Sequence, residues 1–272
     1  MSTPADIDVT DLPQMLRGDN APGFALYPGF VDPGIANAIM ADVVTITRAA
    51  DRGDDVAGAI VTPESQPNFS GEKPEDLVSK VFKLHRRPAF ASFLATPAVC
   101  RILTAAIGPD VDCFLSQFIF KNPGARGQPW HQDSFYFPFE PARPIVALWL
   151  AVTRATEENG CLHILPGSQQ EPVHPHIPDR RPGANNGYVE IVDHDMSASQ
   201  PCLLEAGDLM VFDSHLMHCS TDNLTDHLRA AMVWHFAPAG TVDLGIDRGN
   251  GERVQSIVND WVAIIREGKP VG

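Results

Sequence analysis

Basic residues are scarce in this chain. Twenty lysines and arginines stand against 34 acidic residues, for a net charge of -14 and a pI near 5.0. That balance excludes nucleic acid and anionic membrane as partners held by bulk electrostatics. It also means that any anionic ligand must be met by a locally placed cation. The five cysteines (Cys100, Cys113, Cys161, Cys202, Cys219) are odd in number, widely spaced and free of any Cys-x-x-Cys pair. Neither a disulfide framework nor a structural zinc site follows from them. No apolar run approaches the length of a membrane span, and the opening Met-Ser-Thr-Pro-Ala-Asp-Ile-Asp is polar and acidic, so a soluble, cytoplasmic protein is expected. A Gly-rich phosphate loop, a Gly-x-Ser-x-Gly elbow and internal repeats are also missing, which removes the commonest nucleotide and nucleophile chemistries.

What is present is an ordinary globular composition, 44% hydrophobic and 20% charged over 272 residues, enough for one large domain spanning 1–272. Residues 1–110 read as mostly helical. The clearest helix is the one that Asp32-Pro33 opens, with Ile35, Ile39, Val43 and Ile46 on one face. From Val111 the pattern changes to short β-rich runs separated by Gly, Pro, Asn or Asp, up to about residue 240. This is the rhythm of an all-β sandwich or barrel with flanking helices rather than of alternating βαβ units. The segment 171–199 is a long insertion suited to a lid. Val254, Ile257, Val258, Trp261, Ile264 and Ile265 predict an amphipathic helix over 252–268.

The chemistry is concentrated in Gln128-Pro-Trp-His-Gln-Asp-Ser-Phe-Tyr-Phe-Pro-Phe139. On a strand, His131 and Asp133 project from the same face and can grip one metal ion. A third ligand is available 85 residues after Asp133, in a turn carrying His215 and His218. Either would complete a two-histidine, one-carboxylate set, which leaves open positions on Fe(II). Spacing does not choose between the two histidines.

The stretch Gly207 to Arg229 is similar to the C-terminal signature of the phytanoyl-CoA dioxygenase family of Fe(II)- and 2-oxoglutarate-dependent oxygenases. So are His131-Gln-Asp-Ser-Phe-Tyr-Phe-Pro-Phe139, Trp149 and Glu158-Asn-Gly-Cys-Leu-His-Ile-Leu-Pro-Gly-Ser168. The resemblance covers roughly Lys80 to Ala237, and it favours His218, which opens His-x-Ser and is followed eleven positions later by Arg229. It implies His131, Asp133 and His218 as metal ligands, and Arg229 and Ser220 on the distal carboxylate of 2-oxoglutarate. Trp149, Lys80 and Gln117 would complete the cosubstrate site. An Arg fork suits a carboxylate in an acidic protein in any case. The implied fold is mainly β with flanking helices, a double-stranded β-helix (jelly-roll, cupin-like) core. The implied reaction uses O2 to hydroxylate an unactivated C–H bond of a small-molecule substrate, an acyl-CoA or another anionic metabolite, with release of succinate and CO2. Nothing beyond the metal centre is required as a catalytic residue, and Asp133 argues against a halogenase.

Two rivals remain open on the residues. A cupin-like Zn-dependent hydrolase or isomerase uses the same ligand types but leaves Arg229 and Ser220 without a role. A metal-free β-sandwich binding module needs the histidines only for packing. His85, His163, His174, His176, His194, His227 and His235 read as structural or surface residues, with His174 or His176 the minor candidates for contact with substrate. Arg126, Arg143, Arg180 and Arg181 are candidates for the pocket mouth. Phe135 to Phe139 is a candidate substrate wall.

Overall fold

The computed structural model describes residues 3, 7–66, 69–185, 187–247 and 252–271. Its centre is a nine-stranded antiparallel sheet. The strands are β1 (Phe24–Tyr27), β2 (Ile60–Pro63), β3 (Val78–Phe82), β4 (Val111–Lys121), β5 (Val146–Ala151), β8 (Leu209–Asp213), β10 (Arg229–Pro238), β11 (Val262–Arg266) and β12 (Lys269–Pro270). A second sheet of three short strands, β6 (Leu162–Ile164), β7 (Gln200–Cys202) and β9 (His218–Ser220), runs in the order β7-β6-β9. In the large sheet β10 lies between β5 and β4, and β8 lies between β1 and β5. These two facing sheets form the jelly-roll core.

Alternation along β10 explains why the sheet has two different faces. Ala230, Met232, Trp234 and Phe236 join the outer core, while Ala231 and Val233 face the small sheet. Four helices cover the outer face: α1 (Leu12–Arg17), α2 (Pro33–Asp51), α3 (Pro88–Leu94) and α4 (Pro97–Ala106). The start of α2 follows from its sequence. Asp32 Oδ1 accepts from Gly34 N at 2.7 Å, Pro33 occupies the first turn, and Ala36, Ile39, Val43, Ile46 and Thr47 form the buried stripe. Phe93 of α3 stacks on Trp234 with ring centroids 5.0 Å apart. Burial on both faces accounts for strands that read as nearly continuous apolar runs. Among the described residues no single helix is long and apolar enough to cross a membrane.

Two expectations are corrected. The predicted C-terminal helix is not formed. Arg253–Val254 pairs with Ile246–Asp247, and β11 adds to the edge of β4 before turning into β12. The β-branched residues in Val262–Arg266 suit that open edge better than a helix. Glu267 and Gly268, at φ 51° and 72°, make the left-handed two-residue turn that a hairpin demands. The region 1–110 is also less helical than expected, because β1, β2 and β3 belong to the sheet and β3 carries Lys80 into its inner face.

One buried carboxylate ties the helices to the sheet. Asp213, at the end of β8 and fully buried, lies 3.1 Å from Arg17 and 2.9 Å from Arg143, and its Oδ1 accepts from His215 N at 3.0 Å. Arg17 also donates to the carbonyl of Ala106, so α1, α4 and β8 meet there. Asp213→Ala is expected to destabilise the protein by roughly 2–3 kcal/mol. That is less than the ~3–5 kcal/mol of a fully buried pair, because both arginines reach solvent. Urea unfolding checks it, as a lower midpoint with an unchanged slope.

Candidate functional site

Between the two sheets lies a cavity of about 580 Å³, within the ~300–1,000 Å³ range of small-molecule sites. Both sheets line it, and three strands supply much of its wall from inward-facing positions. Leu115, Gln117, Ile119 and Lys121 come from β4, Arg229, Val233 and His235 from β10, and Lys80 from β3. All eight residues singled out from the sequence, His131, Asp133, His218, Arg229, Ser220, Trp149, Lys80 and Gln117, line this one cavity.

At one end His131, Asp133 and His218, all buried, bring a nitrogen, an oxygen and a nitrogen within 4.8 Å of one another. His218 opens β9, and its backbone exchanges two hydrogen bonds with His131, at 2.9 and 3.0 Å. This single bridge locks the two imidazoles together, with centroids 4.2 Å apart. The strand expected through Asp133 is not formed. Asp133–Tyr136 is a 3-10 turn instead, closed by Phe135 N donating to Gln132 O and Phe137 N to Ser134 O. Asp133 still faces the histidines, because that turn swings it back toward them.

The hydrogen bonds of the rings define what they offer. His131 Nδ1 lies 2.8 Å from Pro129 O, and His218 Nδ1 lies 2.9 Å from Leu216 O. A carbonyl only accepts, so Nδ1 carries the proton and each Nε2 presents a lone pair. Those lone pairs point at Asp133 Oδ1, at 3.5 and 3.8 Å. Burial, with the neighbouring His131, pushes His218 down to about 4, which keeps it neutral at physiological pH. Three electron-rich donors converging without a proton between them form a site made for a cation. Two nitrogens and one oxygen suit a transition metal. His215, the other histidine of that turn, is not part of it. Its Nδ1 lies 3.2 Å from Glu171 O, and its Nε2 is buried without a partner.

His235 was read from the sequence as structural or surface, and it belongs to the site. Its Nε2 lies 2.9 Å from Asp133 Oδ2, so it donates to the oxygen turned away from the other donors. The Phe114 and Phe137 rings flank it. The signal was available, since His235 keeps step with Arg229 and Val233 on alternate positions of β10.

Lys121 was missed for the same reason. It keeps step with Gln117 on β4 and stands directly opposite Arg229 in the strand pairing. Its ammonium donates to Ser220 Oγ at 2.7 Å and to the carbonyl of Thr221. Arg229, only 1% exposed, spends Nε and Nη2 on Gly160 O at 3.1 and 2.7 Å. Gly160 permits this approach, because at φ 84° a Cβ there would stand 2.4 Å from Thr221 O and 2.6 Å from the Lys121 side chain. Desolvation lowers Arg229 to about 10. It also lowers Lys121 well below the lysine range, with the Arg229 charge adding to the effect. Among the described lining residues the only carboxylate is Asp133, in the histidine cluster. Two buried basic groups side by side, both lowered by desolvation, make a seat for an anion that would favour their charged forms.

The remaining residues fall into place around these two ends. Lys80 Nζ lies 3.4 Å from Gln128 Oε1 and 4.8 Å from the centroid of the Tyr188 ring. Trp149 lies under the Arg229 guanidinium at 5.8 Å. Of the aromatic stretch, Tyr136 and Phe137 line the cavity, whereas Phe135 stacks on His176 and Phe139 packs into a core cluster. His174 and His176 do not line it, and neither do Arg126, Arg143, Arg180 or Arg181. Arg143 is turned to Asp213, and Arg181 to Asp179 and the carbonyl of Gly127.

The chain is similar to known proteins in sequence and in fold. The family model described as Phytanoyl-CoA dioxygenase matches residues 20–231. Peroxisomal phytanoyl-CoA dioxygenase of Bos taurus is 30% identical over 194 residues, 69% of this chain and 58% of that protein. The chain thus spans a little more than half the length of that relative. Among solved structures, EvdO2 from Micromonospora carbonacea var. aurantiaca complexed with 2-oxoglutarate aligns with a TM-score of 0.59 at 24% identity, over 91% of this chain and 97% of that one. The epimerase SnoN in complex with Fe3+, alpha ketoglutarate and nogalamycin RO aligns with a TM-score of 0.59 at 18% identity, over 92% and 91%. At those identities the likeness is one of fold.

If the His235 bond sets the orientation and basicity of Asp133, then His235→Ala should weaken Co(II) binding at the triad by roughly 10–100-fold. Anaerobic Co(II) titration measures this, and an unchanged affinity would make the bond incidental.

Proposed function

The chain belongs to the phytanoyl-CoA dioxygenase family, and from that premise we propose that it is an Fe(II)- and 2-oxoglutarate-dependent oxygenase that hydroxylates an unactivated C–H bond of a small organic substrate. The observation that carries the proposal is the pairing, in one cavity, of a buried His131–Asp133–His218 donor set with a buried Lys121–Arg229 cation pair. A zinc hydrolase would need the first and has no use for the second.

In this reading His131, Asp133 and His218 hold Fe(II), and the distal carboxylate of 2-oxoglutarate enters the seat formed by Arg229, Ser220 and Lys121. Bound together there, iron and cosubstrate supply O2 activation coupled to decarboxylation, giving succinate, CO2 and an alcohol. The protein's own work is placement. Arg229 offers its remaining N–H donors from a guanidinium fixed on Gly160, so a carboxylate is met with little reorganisation. Ser220, already accepting from Lys121 and from Gln128 N, has its hydroxyl proton free to donate. Lys80, Gln117 and Trp149 form the walls along the length of the cosubstrate. Leu115, Ile119, Phe137 and Val258 exclude water from the reacting centre.

The composition of the described wall supports one reading of the substrate. Lys80, Lys121 and Arg229 are the only cations among the described lining residues, and this assignment commits all three to the cosubstrate. The reacting segment of the substrate is therefore uncharged and largely apolar. An acyl-CoA or another anionic metabolite would keep its charged group outside the cavity.

Anaerobic addition of 2-oxoglutarate to the Fe(II)-loaded protein is expected to produce a visible charge-transfer band, and no band with intact metal would sink the oxygenase assignment. Lys121→Met should raise the 2-oxoglutarate Kd about tenfold or more, the worth of one charge-assisted hydrogen bond. Fe(II) binding should stay within about twofold of wild type, a limit set by the roughly 0.5 kcal/mol within which independent sites add.

A further inference from the structure

The inserted segment 171–199 carries a second convergence of donors. Glu171 Oε2 lies 2.7 Å from His174 Nε2 and 3.0 Å from His194 Nε2. The two rings stand edge to face with centroids 5.1 Å apart. One donor atom from each residue falls within 4.8 Å of the other two, and all three side chains are half-buried. His194 Nδ1 lies 3.1 Å from the carbonyl of Asp195. A carboxylate only accepts, so both Nε2–H groups donate to the one Glu171 oxygen, and a metal ion bound there would take the place of those two protons. The donor types are those of His131, His218 and Asp133, here on a different element.

Two imidazole nitrogens and one carboxylate oxygen select a transition metal of the zinc class over calcium or magnesium, which prefer oxygen ligands. Donor atoms of a tetrahedral zinc set stand about 3.3 Å apart for bonds of about 2.0–2.1 Å. The two nitrogen–oxygen spacings, 2.7 and 3.0 Å, would open by about 0.6 and 0.3 Å to reach that value. The protein supplies three ligands, leaving one position for water.

The position of the cluster gives it a consequence. Glu171 stands at the start of the insertion and His194 near its end, so the cluster is the neck of a loop. Between them Asn185, Gly187 and Tyr188 form part of the cavity wall. The base of the loop is fastened to the metal-ligand segment through Gln132. Its side chain accepts from His174 N at 2.8 Å and donates to Pro172 O at 3.1 Å, and Ile191 N donates to Trp130 O at 2.8 Å. We propose that Glu171, His174 and His194 form a second divalent transition-metal site, which clamps both ends of this loop and fixes the cavity wall that it carries.

The test is independent of the oxygenase reading, because it is made with the first site removed. His131→Ala/Asp133→Ala protein, loaded with zinc and desalted, should retain one equivalent of zinc by elemental analysis. Adding His174→Ala/His194→Ala should abolish it, and Glu171→Gln, which keeps the side-chain volume, should weaken it at least tenfold. Trypsin gives a second readout at the Arg180–Arg181 bond within the loop. Zinc should slow that cleavage about tenfold in the His131→Ala/Asp133→Ala protein and have no effect once His174 and His194 are replaced. Matching circular dichroism melts in chelator establish that the variants fold. Failure to retain zinc in the His131→Ala/Asp133→Ala protein, or retention after loss of His174 and His194, overturns the site. Undiminished affinity in Glu171→Gln removes the carboxylate from the ligand set and overturns it as stated.

Discussion

Three lone-pair donors aimed at one buried point are the constraint around which this molecule is built. In isolation such an arrangement is unfavourable, since His131 Nε2, His218 Nε2 and Asp133 Oδ1 repel where water cannot screen them. The fold tolerates it by fixing every other atom of those side chains. Pro129 and Leu216 carbonyls occupy the two Nδ1 protons, His235 occupies the second carboxylate oxygen, and the backbone bridge between His131 and His218 sets the rings side by side. Such preorganisation turns electrostatic strain into affinity once a cation arrives.

The other end of the cavity poses the opposite problem and solves it in the same way. Arg229 and Lys121 are opposite each other on adjacent strands, buried in a protein of net charge -14. Asp133, the one carboxylate among the described lining residues, lies at the other end, and Asp222 and Glu64 act on Lys121 only from outside that lining. Both instead rest on neutral oxygens, those of Gly160, Ser220 and Thr221. One pocket thus holds a concentration of negative potential at one end and of positive potential at the other. A cation at the first end and a dianionic chelator reaching from it to the second would satisfy both at once.

Much of this was legible in the order of residues, and the parts that were not have physical causes. His131 and Asp133 could be singled out from residue type and spacing, whereas His218, Arg229 and Ser220 were singled out only through a family resemblance, because spacing left His215 and His218 equal. The strand rhythm from Val111 followed from period-two alternation and turn residues. Lys121 and His235 were overlooked because each is a lone polar residue in an apolar run, and its meaning appears only when strands β4 and β10 are laid side by side. The C-terminal segment misled because Val254 to Ile265 has apolar residues at helical intervals. Its fate was decided by the unpaired edge of β4, which no local pattern reveals. The residues of the second donor cluster read as surface histidines, since Glu171 and His194 are brought together only by closure of the loop between them.

The central strand β10 is buried along nearly its whole length and faces both ways. Met232, Trp234 and Phe236 build the core under the helices, while Arg229, Val233 and His235 build the chamber. A strand with no idle side has little freedom to drift, because a change on either face touches folding or chemistry. Novelty in what such a scaffold accepts must therefore come from the rim. Asn185, Gly187 and Tyr188 on one side, and Ile246, Ser256, Val258 and Asn259 on the other, line the same chamber from loops and from short ladders outside the two sheets. The molecule separates what has to be inherited unchanged from what is free to be rewritten.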